Sequence, residues 1–136
     1  MIVVDTNLIV HLFVKGDHSE LAGQVLLKDP GWSAPLLWRS EFRNTLVKCV
    51  RAGLIDLGDA FCILTEAESL MSGGEYAVAS ADVVVLALSS TCSAYDAEFV
   101  VLARELAAPL ITADKRLLQC FPKTAISPGQ YLSPES

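Results

Sequence analysis

The stretch Ile2-Val3-Val4-Asp5-Thr6-Asn7 decides the fold class of this 136-residue chain. Three β-branched apolar residues in a row are typical of a strand that is buried on both faces, as strands of parallel sheets are. The run ends at Asp, Thr and Asn, which favour turns and the N-caps of helices. The stretch therefore predicts a buried strand that leads directly into a helix over about residues 8–14.

The rest of the chain repeats this alternation. Further short strands are predicted at 32–34, 76–78, 109–112 and 124–126. Helices are predicted at 17–27, 36–52, 56–71, 80–90 and 94–107, with a short one that starts at Asp114. Strands that alternate with helices indicate an α/β fold whose sheet is mostly parallel.

Length and composition fit one domain that needs no disulfide or structural metal, because a chain of this size buries roughly two thirds of its unfolded surface. We expect this domain to span residues 1–130, with a disordered tail over 131–136 that contains Pro and Ser. Hydrophobic residues make up 52% of the chain and charged residues 19%. Either the core is large, or a partner covers part of the surface.

Two further sequence features bear on location and metal content. No apolar stretch approaches the ~20 residues of a membrane-spanning helix, and the N-terminus lacks a basic region and a signal-like cleavage site, so we expect a cytoplasmic protein. The cysteines form no C-x-x-C pair, and we expect buried free thiols rather than zinc ligands. They are Cys49, Cys62, Cys92 and Cys120.

Four acidic residues stand out by their positions. Asp5 and Asp114 each follow a predicted strand, and the carboxyl ends of parallel strands meet at one edge of a sheet. Asp96 falls in the first turn of a predicted helix, where the helix dipole favours an anion. Glu41 lies inside the helix 36–52, at the margin of its apolar face. At least two of these carboxylates are therefore expected at the same edge.

Each acid also has a simpler interpretation, since an isolated Asp at these positions is most often a helix cap. However, all four are flanked by apolar residues, and acids gathered in a cleft are either protonated or neutralised by cations. Carboxylate oxygens suit Mg²⁺ or Mn²⁺, which can activate a water for attack on a phosphodiester. A local cation also answers the objection that a formal net charge of −6 disfavours nucleic-acid binding.

Four pieces of sequence, in this order and at these spacings, match a known family. They are Ile2-Val3-Val4-Asp5-Thr6-Asn7, Glu41 in the third helix, Ser93-Ala94-Tyr95-Asp96-Ala97 followed by Ala103, and Leu110-Ile111-Thr112-Ala113-Asp114-Lys115-Arg116-Leu117. With these pieces, the chain resembles the PIN domain over nearly its whole length, and within that family the VapC-type toxins of toxin–antitoxin pairs. The resemblance implies a three-layer α/β/α sandwich with a central, mostly parallel sheet.

The resemblance also implies an activity, that of an endoribonuclease which needs Mg²⁺ or Mn²⁺ and hydrolyses RNA phosphodiesters with a metal-activated water. The implied catalytic residues are Asp5, Glu41, Asp96 and Asp114. Asp5 and Asp96 match metal ligands, Asp114 matches a ligand that assists them, and Glu41 matches a residue that positions water or acts as a base. Asn7 and Thr112 match polar residues that orient the acids. The implied partners are RNA, a VapB-like antitoxin and a second copy of the chain.

Two other functions remain open on the residues alone. A PIN-like scaffold without catalysis would only bind protein or RNA, although all four acids are present here. Alternatively, Asp5 could be a phospho-acceptor, as in phosphatase-like or receiver-like domains. The phosphatase class has a second Asp two residues later, where this chain has Asn7, so this alternative ranks below the nuclease.

Basic residues near the predicted site are candidates for binding RNA phosphates. Some relatives carry a further acid shortly after the fourth one, whereas Lys115 and Arg116 follow Asp114 here. Such a pair is more often a solvated helix face. Arg39 and Arg43 are further candidates for the same role.

Overall fold

A parallel sheet forms the centre of the computed structural model, which describes residues 1–133. Within those residues the strands are β1 (Ile2–Val4), β2 (Trp32–Pro35), β3 (Glu75–Tyr76), β4 (Leu110–Ile111) and β5 (Ala125–Ile126). Their order across the sheet is β3-β2-β1-β4-β5, and every neighbouring pair is parallel. β1 is thus the central strand, which explains why all its residues are buried.

Helices cover both faces of the sheet. They are α1 (Thr6–Phe13), α2 (Ser19–Lys28), α3 (Leu37–Arg51), α4 (Leu57–Met71), α5 (Ser80–Leu88), α6 (Ala94–Glu105), α7 (Lys115–Cys120) and α8 (Pro128–Leu132). α1 packs against α2, α3 and α4, whereas α5 packs against α6, which lies on β1, β2 and β4. The predicted three-layer α/β/α sandwich with a central parallel sheet is confirmed.

The hydrophobic core forms where the helix layers meet the sheet. The apolar face of α3 contributes Trp38, Phe42 and Leu46, each no more than 3% exposed. The rings of Trp38 and Phe42 meet edge to face with centroids 5.4 Å apart, an arrangement that aromatic pairs favour. From α6, Phe99 and Val100 fill the same core. This packing fixes α3 and α6, the helices that carry Glu41 and Asp96, relative to the sheet.

Several elements begin a residue or two away from their predicted positions. α1 begins at Thr6 and not near residue 8, because Asp5 already serves as its N-cap. Conversely, α2 begins two residues later than predicted. Local residues set the boundaries between α3 and α4. Gly53, which follows the end of α3, has a φ of +74°. Asp56 forms a capping box with Asp59 at the start of α4.

The C-terminal residues differ from the disordered tail predicted over 131–136. Tyr131 and Leu132 belong to α8, which packs against α2. The ammonium of Lys28 donates a hydrogen bond of 2.6 Å to the carbonyl of Tyr131 and lies 4.2 Å from the centre of its ring. Positions 134–136 of the predicted tail lie outside the described residues.

The cysteines are free thiols, as predicted, but not all of them are buried. Cys92 is buried, whereas Cys62 is exposed, because the buried face of α4 is formed by Ala60, Ala67 and Met71. The prediction of a buried thiol is therefore wrong for Cys62. Within residues 1–133, no helix is both long and apolar enough to cross a membrane.

Candidate active site

Asp5 lies at the carboxyl end of the central strand, where three donors hold its carboxylate. Oδ1 accepts the backbone N–H of Thr6 at 2.8 Å. Oδ2 accepts the hydroxyl of Thr112 at 2.6 Å and the side-chain amide of Asn7 at 3.3 Å. The residue is only 9% exposed. A buried carboxylate with three donors has a fixed orientation toward the carboxyl edge of the sheet.

The electrostatic environment of Asp5 is unfavourable to its charge. Burial raises the pKa of Asp5 from 3.8 to about 6, although the hydrogen bonds from Thr112 and Thr6 oppose this change. The negative charges of Glu41 and Asp114 raise the pKa further. Near neutral pH the ionised form of Asp5 is therefore destabilised by burial and by neighbouring negative charges, and a nearby cation would stabilise it.

Thr112 links Asp5 to Asp114 across the neighbouring strand. It follows β4, which pairs with β1 through Val3–Leu110 and Val4–Ile111, and it is fully buried. Its hydroxyl donates to Asp5 and accepts the backbone N–H of Asp114 at 3.0 Å.

Asp114 is the N-cap of α7. Its Oδ1 accepts the backbone N–H groups of Arg116 at 2.8 Å and of Leu117 at 3.4 Å. Asp114 is thus a helix cap, as the simpler interpretation predicts, but it caps through one carboxylate oxygen, Oδ1. The cap itself uses no other oxygen of Asp114, so capping and ligand binding are compatible on this residue.

Glu41 reaches the same edge from α3 through a contact with α1. The hydroxyl of Thr6 donates to Oε1 of Glu41 at 2.7 Å, between residues 35 positions apart in sequence. Burial raises the pKa of Glu41 above its usual range against the effect of that hydrogen bond, and the charges of Asp96 and Glu98 raise it further. Glu41 is thus a half-buried carboxyl group with an increased affinity for a proton.

Asp96 occupies the first turn of α6, as the sequence predicts. Its backbone N–H donates to the hydroxyl of the N-cap Ser93 at 3.1 Å. Its negative charge acts on Glu41, which places it on the same acidic surface. Glu98, two residues later, also acts on Glu41 and is half-buried, with a pKa that burial raises.

The four predicted acids form an electrostatically connected row. Asp114 and Glu41 both act on Asp5, and Asp96 acts on Glu41. Within residues 1–133, however, no three His, Cys, Asp or Glu side chains are arranged as a set that could hold a metal ion. The structure thus brings the acids to one region without assembling a complete ligand set.

The chemistry of this region nevertheless fits a hard divalent cation. Its donors are carboxylate oxygens, the ligands that Mg²⁺ and Mn²⁺ prefer. Beside Asp5, the side-chain oxygen Oδ1 of Asn7 is buried and has no hydrogen-bond partner among the described residues. An unsatisfied oxygen and carboxyl groups with raised pKa values are both features that a bound cation would stabilise.

Comparison with known proteins gives the family. The family model described as "PIN domain" matches residues 2–123. The chain belongs to the PIN-domain family. The predicted resemblance to VapC-type members is confirmed by a curated relative, Ribonuclease VapC3 of Pyrobaculum aerophilum, which is 31% identical over 124 residues. The match covers 89% of this PIN domain and 95% of the relative.

Solved structures show the same fold. The crystal structure of PAE2754 from Pyrobaculum aerophilum superposes with a TM-score of 0.76 at 23% identity and covers 97% of this PIN domain and 86% of that chain. A toxin–antitoxin complex from Klebsiella pneumoniae contains a chain with a TM-score of 0.69 at 18% identity, covering 94% and 98% of the two chains. At these identities the likeness concerns the fold.

Two residues of the candidate site were not singled out from the sequence. Thr6 holds Glu41, and Glu98 adds a fifth carboxyl group to the acidic surface. The contact between Thr6 and Glu41 had no local signal in the sequence, because it depends on how α1 packs against α3. Glu98 gave no signal, since its approach to Glu41 depends on how α6 packs against the sheet.

Arg39 does not serve as a free RNA contact. Its guanidinium donates to both carboxylate oxygens of Glu75, at 2.6 and 2.8 Å, and also approaches Glu68 at 3.3 Å. Trp38 donates to Glu75 as well. The interpretation of Arg39 as a phosphate ligand is replaced by a structural role in tying α3 to β3. Arg43 and Arg116 are exposed.

The raised pKa of Asp5 predicts how stability depends on pH in the metal-free protein. Between about pH 4 and 6 the folded state keeps a proton that the unfolded chain releases, so the free energy of unfolding falls as the pH rises through this window. A change of about two pKa units corresponds to roughly 3 kcal/mol. Urea denaturation at several pH values, with EDTA present, measures it.

The matched control for this pH dependence is Asp5→Asn, which has no titratable group at this position. The difference between wild type and variant isolates Asp5 from the other acids. A free energy of unfolding that changes with pH equally in both proteins would show that Asp5 ionises as in the unfolded chain.

Proposed function

We propose that this PIN domain is a divalent-cation-dependent endoribonuclease that acts as the toxin of a toxin–antitoxin pair. The observation that carries the proposal is the buried carboxyl group of Asp5 at the carboxyl end of the central strand, within a row of acids whose charges act on one another. The similarity of the chain to a curated protein named Ribonuclease VapC3 supports RNA as the substrate class. The chemistry of such a row suits hydrolysis of a phosphodiester.

In this proposal Asp5, Asp96 and Asp114 hold Mg²⁺ or Mn²⁺. The bound cation would supply positive charge to the phosphate oxygens and make a nearby water more acidic. It would also compensate the repulsion that Glu41 and Asp114 exert on Asp5. Asn7 and Thr112 keep Oδ2 of Asp5 in place by hydrogen bonding.

Glu41 is proposed as the residue that takes the proton from the attacking water. Its raised pKa increases its affinity for that proton at neutral pH. The hydroxyl of Thr6 engages Oε1 and thereby sets the direction of the carboxylate. The other oxygen, Oε2, is then the atom that faces the water in this proposal.

Exposed basic residues near the acids are proposed to bind the RNA backbone. Lys115 and Arg116 stand at the start of α7, directly after Asp114, and both are exposed. Arg43 is exposed on α3, the helix of Glu41. These local charges counteract the formal net charge of −6, which by itself would repel RNA.

Protein partners are proposed for two exposed apolar surfaces. One surface spans the end of α3 and the start of α4, with Leu54, Leu57 and Phe61 between 59% and 72% exposed. The other lies on α5, with Val85 at 67% and Leu88 at 83% exposure. We propose that a cognate VapB-like antitoxin and a second copy of the chain cover such surfaces, and that the complex resides in the cytoplasm.

Cleavage of RNA by the purified full chain tests the proposed activity. We expect cleavage with Mg²⁺ or Mn²⁺, and none in EDTA, because the acids alone repel the phosphate. Asp82→Asn, which changes a first-turn aspartate of α5 and none of the four proposed acids, is expected to keep this cation-dependent cleavage. Cleavage that persists in EDTA would contradict the cation dependence.

A PIN-like binding module without catalysis is the second candidate. The observation that favours it is that no three acidic, His or Cys side chains within residues 1–133 form a ligand set. Calorimetric titration with Mn²⁺ separates the two candidates. Binding that disappears in Asp96→Asn supports the nuclease, whereas a titration without heat of binding supports the module.

A further inference from the structure

Cys92 and Cys120 lie near each other, one just before α6 and the other at the end of α7. Cys92 precedes Ser93, the N-cap of α6, and Cys120 is the last residue of α7. Thr91, the residue directly before Cys92, has its hydroxyl in hydrogen-bond contact with the sulfur of Cys120. The two thiols also act on each other's pKa, and both are unpaired with respect to disulfides. The remaining cysteines, Cys49 and Cys62, lie on α3 and α4.

The two thiols differ in their access to solvent. Cys92 is 6% exposed and belongs to the hydrophobic core together with Phe121. Cys120 is half-buried, and its sulfur lies 3.3 Å from the hydroxyl of Thr91. A small polar reagent therefore reaches Cys120 more readily than the buried Cys92.

The surroundings of the two thiols also shift their pKa values in opposite directions. The hydroxyl of Thr91 and the thiol of Cys92 lower the pKa of Cys120, and the positive charge of Arg116 adds to this effect. Burial raises the pKa of Cys92. The thiolate, which is the reactive form, is thus favoured at the sulfur that solvent reaches.

We propose that Cys92 and Cys120 are a redox-modification site that forms an intramolecular disulfide with hydrogen peroxide. The thiolate of Cys120 attacks one oxygen of the peroxide, the O–O bond breaks, and Cys120 becomes a sulfenic acid while hydroxide leaves. Cys92 then attacks the sulfur of Cys120, and its proton leaves with the sulfenic hydroxyl as water. In total, two thiols and one peroxide give one disulfide and two waters, and the peroxide is reduced.

This disulfide would join the start of α6 to the end of α7. Asp96 lies in the first turn of α6, and Asp114 is the N-cap of α7. A cross-link between the two helices restricts the unfolded chain over the whole segment from 92 to 120 and therefore stabilises the folded state. A thiol pair that is reduced again by a dithiol returns the protein to its initial state.

Peptide mapping of the full chain after treatment with hydrogen peroxide tests the proposal. We expect a Cys92–Cys120 disulfide in the monomer, loss of two titratable thiols, and a rise in Tm on the order of 10 °C that dithiothreitol reverses. Cys120→Ser is expected to lose all three effects. Cys62→Ser, which changes an exposed thiol on another helix, is expected to keep them.

These measurements do not depend on RNA cleavage, so they stand whether or not the proposed nuclease activity is found. Peroxide that leaves all four thiols titratable would overturn the proposal. So would oxidation of Cys120 to a sulfinic acid with Cys92 still reduced, or a disulfide formed only between chains. Because the mapping is made on the wild-type chain, it distinguishes these outcomes even if a cysteine variant fails to fold.

Discussion

Asp5→Asn is expected to reduce the rate of RNA cleavage by at least about 100-fold while the fold is retained. Loss of a residue that merely supports a metal ligand costs about 10–100-fold, and Asp5 is proposed as a ligand. The new amide keeps an oxygen that can accept the N–H of Thr6 at the start of α1, since Asn is also a good N-cap. The new amide nitrogen takes the place of Oδ2, so the hydroxyl of Thr112 loses that acceptor, whereas Asn7 can turn its side-chain amide and accept through the oxygen that has no partner.

The stability of this variant separates a catalytic effect from a structural one. The substitution removes a buried charge whose pKa is raised to about 6, so at pH 7 the metal-free variant should melt at the same temperature as wild type or higher. Single-turnover cleavage with Mn²⁺ and a melting curve in EDTA measure the two quantities. Cleavage within a few-fold of the wild-type rate would contradict the role given to Asp5.

Gly74→Ala is expected to cost about 2–4 kcal/mol of the free energy of unfolding. Gly74 directly precedes β3, and its carbonyl accepts the N–H of Ala34 in β2 at 2.9 Å. A Cβ at this position would overlap the carbonyl oxygen of Trp32. Because that oxygen is backbone of a neighbouring strand, the clash is relieved only if β2 and β3 move apart.

Gly23→Ala is the matched control for this effect. Gly23 lies inside α2, and an added Cβ would meet nothing within 4 Å. In a helix Ala is preferred over Gly by roughly 0.5–1 kcal/mol, so this variant should be more stable than wild type. Urea denaturation of both variants decides: a loss below about 1 kcal/mol for Gly74→Ala would show that the strands accommodate the methyl group.

The sequence predicts those parts of the site that depend on local patterns. Ile2-Val3-Val4 before Asp5, and Leu110-Ile111 before Thr112, indicate strands by their own composition. Parallel strands then place the following residues at one edge, which is why the neighbouring positions of Asp5 and Asp114 could be expected. The register of β1 with β4, and the hydroxyl of Thr112 between the two acids, agree with that expectation.

Contacts between distant segments could not be predicted in the same way. The hydrogen bond between Thr6 and Glu41 depends on the packing of α1 against α3, for which the sequence contains no local signal. The same holds for Arg39, whose partner Glu75 lies 36 positions away. A basic residue beside a predicted site looks available for substrate until the fold shows which acid it meets.

The strand order has a consequence for where a ligand can enter. From β1 the chain continues to β2 on one side, whereas from β4 it continues to β5 on the other. The two connections therefore diverge between β1 and β4, at the topological switch point of the sheet, which is a common place for ligands in α/β proteins. Asp5 and Thr112 follow the two strands that flank this point and are joined by a hydrogen bond. The location of the candidate site is thus set by chain connectivity, and surface substitutions can change what it binds without moving it.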